Sequence, residues 1–229
     1  MLAPPRCVAC GCEPKSSTAV LCPECERGLV SLGADVCQRC ALPRPCAPCP
    51  AADASWDTAR SALRHGQVSS SVVVAFKQSG SGRLGRLMLK WMLDTAPESL
   101  GNGAVLVPVP MDPRRKRKTG VDHAALLARS ISRAAGRPAL QTLRRSSAPR
   151  GVRQAGAARI ERLAQHRIQI EPISPSPRRC VVVDDVFTTG ATLQATALAL
   201  RQGGAEVVNC LTFARALPPA YAGKAASSW

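Results

Sequence analysis

The chain has 229 residues, of which 45% are hydrophobic, and its formal net charge is +16. This length fits one medium α/β domain with a small appendage or two small domains, and the hydrophobic fraction is too high for a wholly disordered protein. No apolar run approaches the roughly 20 residues of a membrane span, and the N-terminus lacks a basic start followed by an apolar stretch. We therefore predict a cytoplasmic protein without membrane insertion.

Nine of the eleven cysteines lie in the first 49 residues, a segment that is poor in long apolar runs. Eight of them form four Cys-x-x-Cys pairs, namely Cys7/Cys10, Cys22/Cys25, Cys37/Cys40 and Cys46/Cys49. Two such pairs present four thiolates to one ion in a tetrahedral site, so four pairs fit two zinc ions. The first two pairs are the better-spaced set. Only five residues separate the last two pairs, which leaves an interleaved pairing open, and Cys12 is left over.

Disulfides and a redox-active Cys-x-x-Cys are the alternatives to metal. Disulfides need an oxidising compartment, for which no export signal is present, and four pairs in succession favour metal over a redox motif. The zinc is predicted to be structural, because it replaces a missing core and four thiolates leave no coordination position open for catalysis. We predict a zinc-ribbon domain over 1–52, a main domain over 55–215 and a flexible tail over 216–229.

Strands and helices alternate through the main domain. Residues 72–77 are ambiguous between a strand and a buried helix. After them, the patterns predict strands over 104–110, 167–172, 180–185 and 206–214, and helices over 121–135 and 192–204. Cys180 and Cys210 lie in two of these strands and are predicted to be buried structural thiols. The alternation predicts a parallel sheet with crossover helices.

The positive charge is concentrated in one segment. Residues 111–168 contain fifteen Lys and Arg against three Asp and Glu, and they include the run RRKRK at 114–118. This field predicts a polyanionic partner, which could be the phosphate groups of a small molecule or a nucleic acid. The same segment has no aromatic residue.

Two adjacent acids, Asp184 and Asp185, end the predicted strand 180–185, which is apolar enough to be buried on both faces. Ligands of open parallel sheets bind beyond the carboxyl ends of the strands. Carboxylates accept hydrogen bonds from a vicinal diol and also bind Mg²⁺. The position therefore predicts a ligand site that involves both acids.

A short turn of small residues follows the acids. It consists of Thr188, Thr189, Gly190, Ala191 and Thr192. The free N–H groups and the dipole of the helix that begins here favour a phosphate, and the threonine hydroxyls add donors. We expect the turn to be exposed at the sheet edge, with Gly190 its most sensitive position. A diol beside a phosphate describes ribose 5-phosphate.

The stretch VVVDDVFTTGAT at 181–192 resembles the phosphoribosyl-diphosphate (PRPP) motif of type I phosphoribosyltransferases. With the cysteine array and the stretch VPVPMDPRRKRKTG at 107–120, the chain is similar over nearly its whole length to the ComF family, which is linked to competence and DNA uptake. The resemblance implies an α/β fold of the type I phosphoribosyltransferase kind, a parallel sheet with flanking helices, preceded by a small double zinc ribbon with four cysteines per ion.

The resemblance also implies residue roles. Asp184 and Asp185 would be the catalytic pair that binds the ribose hydroxyls, and residues 188–192 would bind the 5-phosphate of PRPP or ribose 5-phosphate. The turn at 108–111 would be the pyrophosphate loop. Mg²⁺, Arg114 and Arg115 would stabilise the charge on the leaving pyrophosphate.

Further features are implied in the same way. Lys77 would be another pyrophosphate contact, in a region that the family makes helical over 68–77. The chain departs from the family at two places. It has KTGVDH at 118–123 where the family motif reads Arg-Arg-Gly-Phe-Asn-Gln, and QAGA at 154–157 where the motif has Gln-x-Gly-Leu.

Two hypotheses of function follow. In the first, the protein binds PRPP with Mg²⁺ and transfers the ribosyl phosphate to an acceptor. In the second, it is an accessory protein of DNA uptake that binds single-stranded DNA or another nucleic acid beside competence-machinery proteins, and its PRPP pocket is regulatory or non-catalytic. The shortage of aromatic residues argues against a base-stacking platform but not against phosphate contacts.

Overall fold

The computed structural model describes residues 5–95, 100–146 and 168–221. In chain order its elements are α1 (Pro23–Arg27), β1 (Thr58–Arg64), α2 (Gln67–Ser79), α3 (Gly82–Thr95), β2 (Val105–Pro108), α4 (Pro113–Thr119), α5 (His123–Ala135), β3 (Leu143–Arg145), β4 (Ile170–Pro172), β5 (Arg179–Phe187), α6 (Ala191–Gln202), β6 (Val207–Arg215) and a 3-10 turn (Pro219–Tyr221). None of the described helices is long and apolar enough to cross a membrane.

Four strands form one parallel sheet in the order β1-β6-β5-β2. The two central strands, β5 and β6, have nine residues each. β3 and β4 form a separate antiparallel pair. The predicted parallel sheet with crossover helices is confirmed.

Helices cover both faces of the sheet, and the side chains of β5 alternate between the two layers. Val181 and Val183 pack in an apolar cluster with α2, α3 and α5, whereas Cys180 and Val182 pack in a second cluster with α6. Cys180 and Cys210 are both buried, as predicted. A parallel strand that is covered on both faces needs an almost continuous apolar run, which is why this strand could be identified from its sequence.

The Cys-rich segment covers the outer edge of β1. Its backbone exchanges hydrogen bonds with the strand, from the Arg64 N–H to the Val30 carbonyl at 2.8 Å and from the Ala59 N–H to the Gln38 carbonyl at 2.7 Å. An uncovered edge strand would expose unpaired backbone groups. The proposed division of the chain near residue 52 therefore separates two parts that contact each other along β1.

Several elements were not predicted from the sequence, namely α1, β1, α3, α4 and β3. Residues 72–77 lie in α2, so the helical alternative is confirmed. Val72 and Val73 are buried there, whereas Val74 is exposed. The basic run 114–118 lies in α4, which was not predicted. Asp112 caps this helix by accepting a hydrogen bond from the Arg114 N–H at 2.8 Å, and Gly120 ends it with a positive φ of 68°.

Some predictions fall on residues outside the described ranges. They concern the departure at 154–157, most of the tail 216–229 and the first residue of the strand predicted over 167–172. Within the described part of that strand, β4 covers Ile170–Pro172, and residues 168 and 169 lie outside it.

Candidate functional site

The acids of β5 directly follow the last residue of β5 that pairs with β2. β2 pairs with β5 only as far as Pro108 opposite Val183, whereas β5 continues alongside β6 to Phe187. The predicted strand end at residue 185 is therefore two residues short of the observed end at Phe187. The last residues of β5 pair with β6 but no longer with β2. The acids border the gap that β2 leaves.

Asp184 and Asp185 have different surroundings. Asp185 is buried, and its two carboxylate oxygens lie 2.9 Å and 2.7 Å from Lys77 Nζ. Asp184 is half-buried and accepts a hydrogen bond from the Asp185 N–H at 2.9 Å. Burial, together with the charge of Asp185, raises the pKa of Asp184 to about 7. One acid is thus held in an ion pair, and the other changes its charge near neutral pH.

The turn at 188–192 is divided between two clefts. Thr188 and Thr192 border the same cleft as the acids, which has a volume of about 270 Å³. Thr189, Gly190 and Ala191 border a second cleft together with part of the segment 49–56. The N-cap residue Gly190 has no side chain to cap α6, and among the described residues the Ala191 N–H donates to Thr189 Oγ1 at 3.4 Å. The acids and two of the threonines therefore border the same cleft.

Gly190 is buried rather than exposed, so the expectation of an exposed turn is wrong at this residue. Its φ is +85°, and a Cβ added there would lie 2.9 Å from Phe187 Cε2 and 3.2 Å from Trp56 Cη2. The rings of Phe187, on β5, and of Trp56, which precedes β1, thus fix the back of the turn. Thr188 and Thr189 do remain exposed.

The predicted basic residues do not all reach the cleft. Lys77 and Arg115 border it, whereas Arg114 is not among the described residues that do. Arg145, which was not predicted as a site residue, also borders the cleft. Its Nε lies 3.8 Å from Asp112 Oδ2. Its position depends on the antiparallel pair of β3 with β4, for which the short strand β3 gave no sequence signal.

His123 also borders the cleft, and it was not among the predicted site residues. It is the first residue of α5 and is buried, with its ring 5.4 Å from that of Phe76. Burial lowers the pKa of His123, and its Nδ1 has no hydrogen-bond partner in the described part of the chain. The sequence signal was its place directly after Asp122, the N-cap of α5.

The cysteines form two separate groups, which settles the pairing that the sequence left open. Cys7, Cys10, Cys22 and Cys25 make one group, and Cys37, Cys40, Cys46 and Cys49 make the other. Within each group the sulfur atoms all lie within 4.8 Å of one another. We call them the first and second cysteine groups. Each could hold one metal ion.

The spacing of the sulfur atoms fits tetrahedral zinc. Zn–S bonds of about 2.3 Å place the sulfurs of a tetrahedral site about 3.8 Å apart. The Cys10 and Cys22 sulfurs are 3.7 Å apart, and the Cys37 and Cys49 sulfurs are 3.8 Å apart. Although burial opposes it, backbone hydrogen bonds lower the pKa of Cys7 and of Cys37 to about 6. Each group therefore contains a thiol that ionises readily enough to bind a cation.

Cys12 lies beside the first cysteine group, with its sulfur 3.1 Å from that of Cys10. It is exposed, and hydrogen bonding to Cys10 and Cys22 raises its pKa to about 12. Cys12 is not among the four cysteines of the first group, whose sulfur atoms all lie within 4.8 Å of one another. The set of four cysteines without Cys12 is therefore the better site.

We expect Cys7→Ser to release one of two bound metal ions, because it removes a buried member of the first cysteine group, and Cys12→Ser to release none. Native mass spectrometry of the zinc-loaded protein measures the stoichiometry. Two ions retained by Cys7→Ser, or one lost from Cys12→Ser, would contradict the assignment.

We expect Gly190→Ala to lower the free energy of unfolding by about 1–3 kcal/mol, since the new Cβ meets Phe187 and the φ is positive. Gly136→Ala is the control, because Gly136 also has a positive φ, of 63°, but has no neighbour within 4 Å of its added Cβ. Urea unfolding measures both. Equal losses would show that Trp56 and Phe187 do not hold the turn.

The raised pKa of Asp184 predicts a pH-dependent stability. Between about pH 4 and 7 the folded state holds a proton that the unfolded state has lost, so this group's contribution to stability falls as the pH rises through that window. Asp184→Asn should remove the fall. Urea unfolding of both proteins at pH 5 and pH 8 measures this. The free energy of unfolding of the variant, relative to that of the wild type, should be higher at pH 8 than at pH 5. The same difference at both pH values would refute the assignment.

Comparison with known proteins gives one family match. A family model described as Phosphoribosyl transferase domain matches residues 124–224, somewhat less than half of the chain. None of the curated proteins compared with the chain matches it.

Three solved structures are similar to the chain. They are the allosteric regulatory enzyme of purine biosynthesis (23% identity, TM-score 0.34), orotate phosphoribosyltransferase from Aeropyrum pernix (17%, 0.36) and adenine phosphoribosyltransferase from Rhodothermus marinus (19%, 0.34). The matches cover 56%, 60% and 60% of this chain and 25%, 75% and 70% of those chains. The chain thus spans a quarter of the length of the first.

The matched family description agrees with the observed architecture. The parallel sheet has helices on both faces, and two cysteine groups that could bind zinc precede it. The fold is therefore a phosphoribosyltransferase-like α/β fold with a Cys-rich N-terminal segment.

Proposed function

We propose that the cleft binds the ribose 5-phosphate unit of PRPP. The observation that carries this proposal is that the carboxylates of Asp184 and Asp185 border one cleft with the hydroxyls of Thr188 and Thr192. Acids suit a diol, because each carboxylate oxygen accepts a hydroxyl proton, and the start of α6 suits a phosphate. The matched family description supports the same ligand class.

The basic side chains of the cleft suit a second anionic group. Lys77 and Arg115 border it, and Lys77 already lies beside Asp185. In PRPP the second anion is the pyrophosphate. We assign its recognition to Arg115 and Lys77, since the role predicted for Arg114 has no support in the geometry.

The reaction that fits this arrangement is transfer of the ribosyl phosphate to an acceptor. The bond from the anomeric carbon to the pyrophosphate oxygen breaks, and the acceptor's nucleophilic atom forms the new bond to that carbon. Negative charge develops on the leaving pyrophosphate, where Lys77 and Arg115 would stabilise it. The carboxylates of Asp184 and Asp185 are also ligands that Mg²⁺ accepts, and the ion would supply further charge neutralisation.

Binding of a nucleic acid is a second proposal, which a different observation favours. The five basic side chains of α4 are all exposed, in the segment 114–118. They could contact phosphates without reading sequence. Titration of single-stranded DNA at two salt concentrations tests this, and absence of affinity at low salt would refute it. The ComF assignment, the competence partners and the cytoplasmic location stay predictions from the sequence.

Calorimetry with ribose 5-phosphate and with PRPP in the presence of Mg²⁺ tests the first proposal. We expect both to bind the wild-type protein and neither to bind the double variant Asp184→Asn, Asp185→Asn. Absence of binding by the wild type, or unchanged binding by the double variant, would refute the proposed function.

Single substitutions then separate the subsites. Thr192→Val removes one hydroxyl donor to a charged acceptor, worth roughly 1.5–3 kcal/mol, so it should weaken both ligands by about one to two decades. Arg115→Ala should weaken PRPP while sparing ribose 5-phosphate, which lacks the pyrophosphate. Arg114→Ala removes the same charge from the same helix and should affect PRPP less. Equal losses of PRPP affinity in the two arginine variants would show that the general positive charge of α4 contributes to binding and that Arg115 makes no specific contact.

A further inference from the structure

One buried guanidinium connects the second cysteine group with the phosphate turn. Arg215, the last residue of β6, is 3% exposed. Its Nε donates to the Cys40 carbonyl at 2.8 Å, and its Nη1 donates to the carbonyls of Phe187, at 3.0 Å, and of Thr188. The same guanidinium lies 3.9 Å from the centroid of the Phe187 ring. The carbonyls of Cys40, in the second cysteine group, and of Thr188, the first residue of the turn, therefore accept hydrogen bonds from the same side chain.

Arg215 depends on these carbonyls. Among the described residues it has no carboxylate within ion-pair distance, so its charge is stabilised by backbone acceptors and the Phe187 ring. A buried charge that loses an acceptor costs substantial free energy. Displacement of the Cys40 carbonyl would therefore disturb the group that also holds Thr188.

A second set of contacts runs parallel to the first. Arg39, which lies between Cys37 and Cys40 in sequence, accepts a hydrogen bond at its carbonyl from Trp56 Nε1 at 2.8 Å. The Trp56 ring meets the Phe187 ring edge-on at 5.7 Å, and both rings lie against Gly190. The second cysteine group is thus connected to the turn through a pair of aromatic rings as well as through Arg215.

The first cysteine group contacts another part of the protein. Cys7 and Cys22 pack in the cluster that contains α2 and α3, and the side chain of Arg83, on α3, donates to the Ser17 carbonyl at 2.8 Å. Among the described residues, no hydrogen bond joins this group to the turn at 188–192. The two groups therefore provide a matched comparison within one chain.

We propose that Arg215 positions the phosphate turn and makes its geometry depend on metal in the second cysteine group. An ion bound by Cys37 and Cys40 fixes the knuckle whose Cys40 carbonyl Arg215 contacts, and Arg215 in turn fixes the carbonyls of Phe187 and Thr188. Loss of that ion loosens the turn, whereas loss of the ion from the first group does not. The consequence for ligand affinity rests on the proposed function.

Hydrogen exchange without ligand tests the coupling, using zinc-loaded full-length protein. Cys46→Ser disrupts the second cysteine group and Cys10→Ser the first, and neither residue borders the ligand cleft. We expect backbone amides in 188–194 to exchange at least tenfold faster in Cys46→Ser and to be unchanged in Cys10→Ser, while native mass spectrometry shows one ion lost from each. Equal exchange in the two variants would overturn the proposal.

Arg215→Lys tests whether Arg215 carries the coupling between the second cysteine group and the turn. Lysine keeps the charge, but a single ammonium cannot reproduce the fork that contacts Cys40 and the turn together. Fast exchange of 188–194 should appear in this variant even with both ions bound. Adding Cys46→Ser should then accelerate it by clearly less than tenfold, because only the contacts through Trp56 remain. A wild-type exchange rate in Arg215→Lys, or the full tenfold effect of Cys46→Ser on top of it, would overturn the role of Arg215. If Arg215→Lys fails to fold, the comparison of the two cysteine variants still decides the coupling.

Titration with ribose 5-phosphate links the coupling to binding. We expect at least tenfold weaker binding by Cys46→Ser than by the wild type. Absence of binding by the wild type would refute the proposed function and leave the exchange comparison to decide the coupling alone. Unchanged affinity in a Cys46→Ser protein that has lost its ion would overturn the predicted control of binding.

Discussion

Two adjacent carboxylates on a strand that is otherwise buried impose the main constraint on this structure. Removing them from water is costly unless partners compensate for the lost hydration. Lys77 provides that partner for Asp185, and it can do so only because α2 packs against the sheet beside β5. Asp184 has no ion-pair partner in the described part of the chain, and its pKa is raised. A ligand with hydroxyl groups, or a divalent cation, would provide what Asp184 lacks.

The Cys-rich segment contributes more to the site than its sequence indicates. It covers the edge of β1, and its Arg39 carbonyl accepts a hydrogen bond from Trp56, whose ring lies at the back of the turn that follows β5. The segment has few apolar side chains of its own, so bound metal would take the place of a core. In the proposed coupling, metal bound by the second cysteine group would influence the cleft without contributing an atom to it, through Arg215 and the aromatic pair.

The sequence predicted those parts of the fold that have strong local patterns. The strands around residues 107, 183 and 210 are continuous apolar runs, and the helices at 121–135 and 192–204 have clear ends. The burial of Gly190 could not be foreseen, because Trp56 lies far away in sequence. The place of Arg115 in the cleft without Arg114 depends on how α4 is oriented, and Arg145 reaches the cleft through a three-residue strand. Each of these three misses at the site concerns a tertiary contact between segments that are distant in sequence.

The most direct test of the central claim is a crystal structure of the protein with ribose 5-phosphate. The account predicts the phosphate against the backbone and hydroxyls of residues 188–192, and the ribose hydroxyls within hydrogen-bond distance of Asp184 and Asp185. A phosphate bound elsewhere, such as on the exposed basic side chains of α4, with the acids still without a ligand, would contradict it.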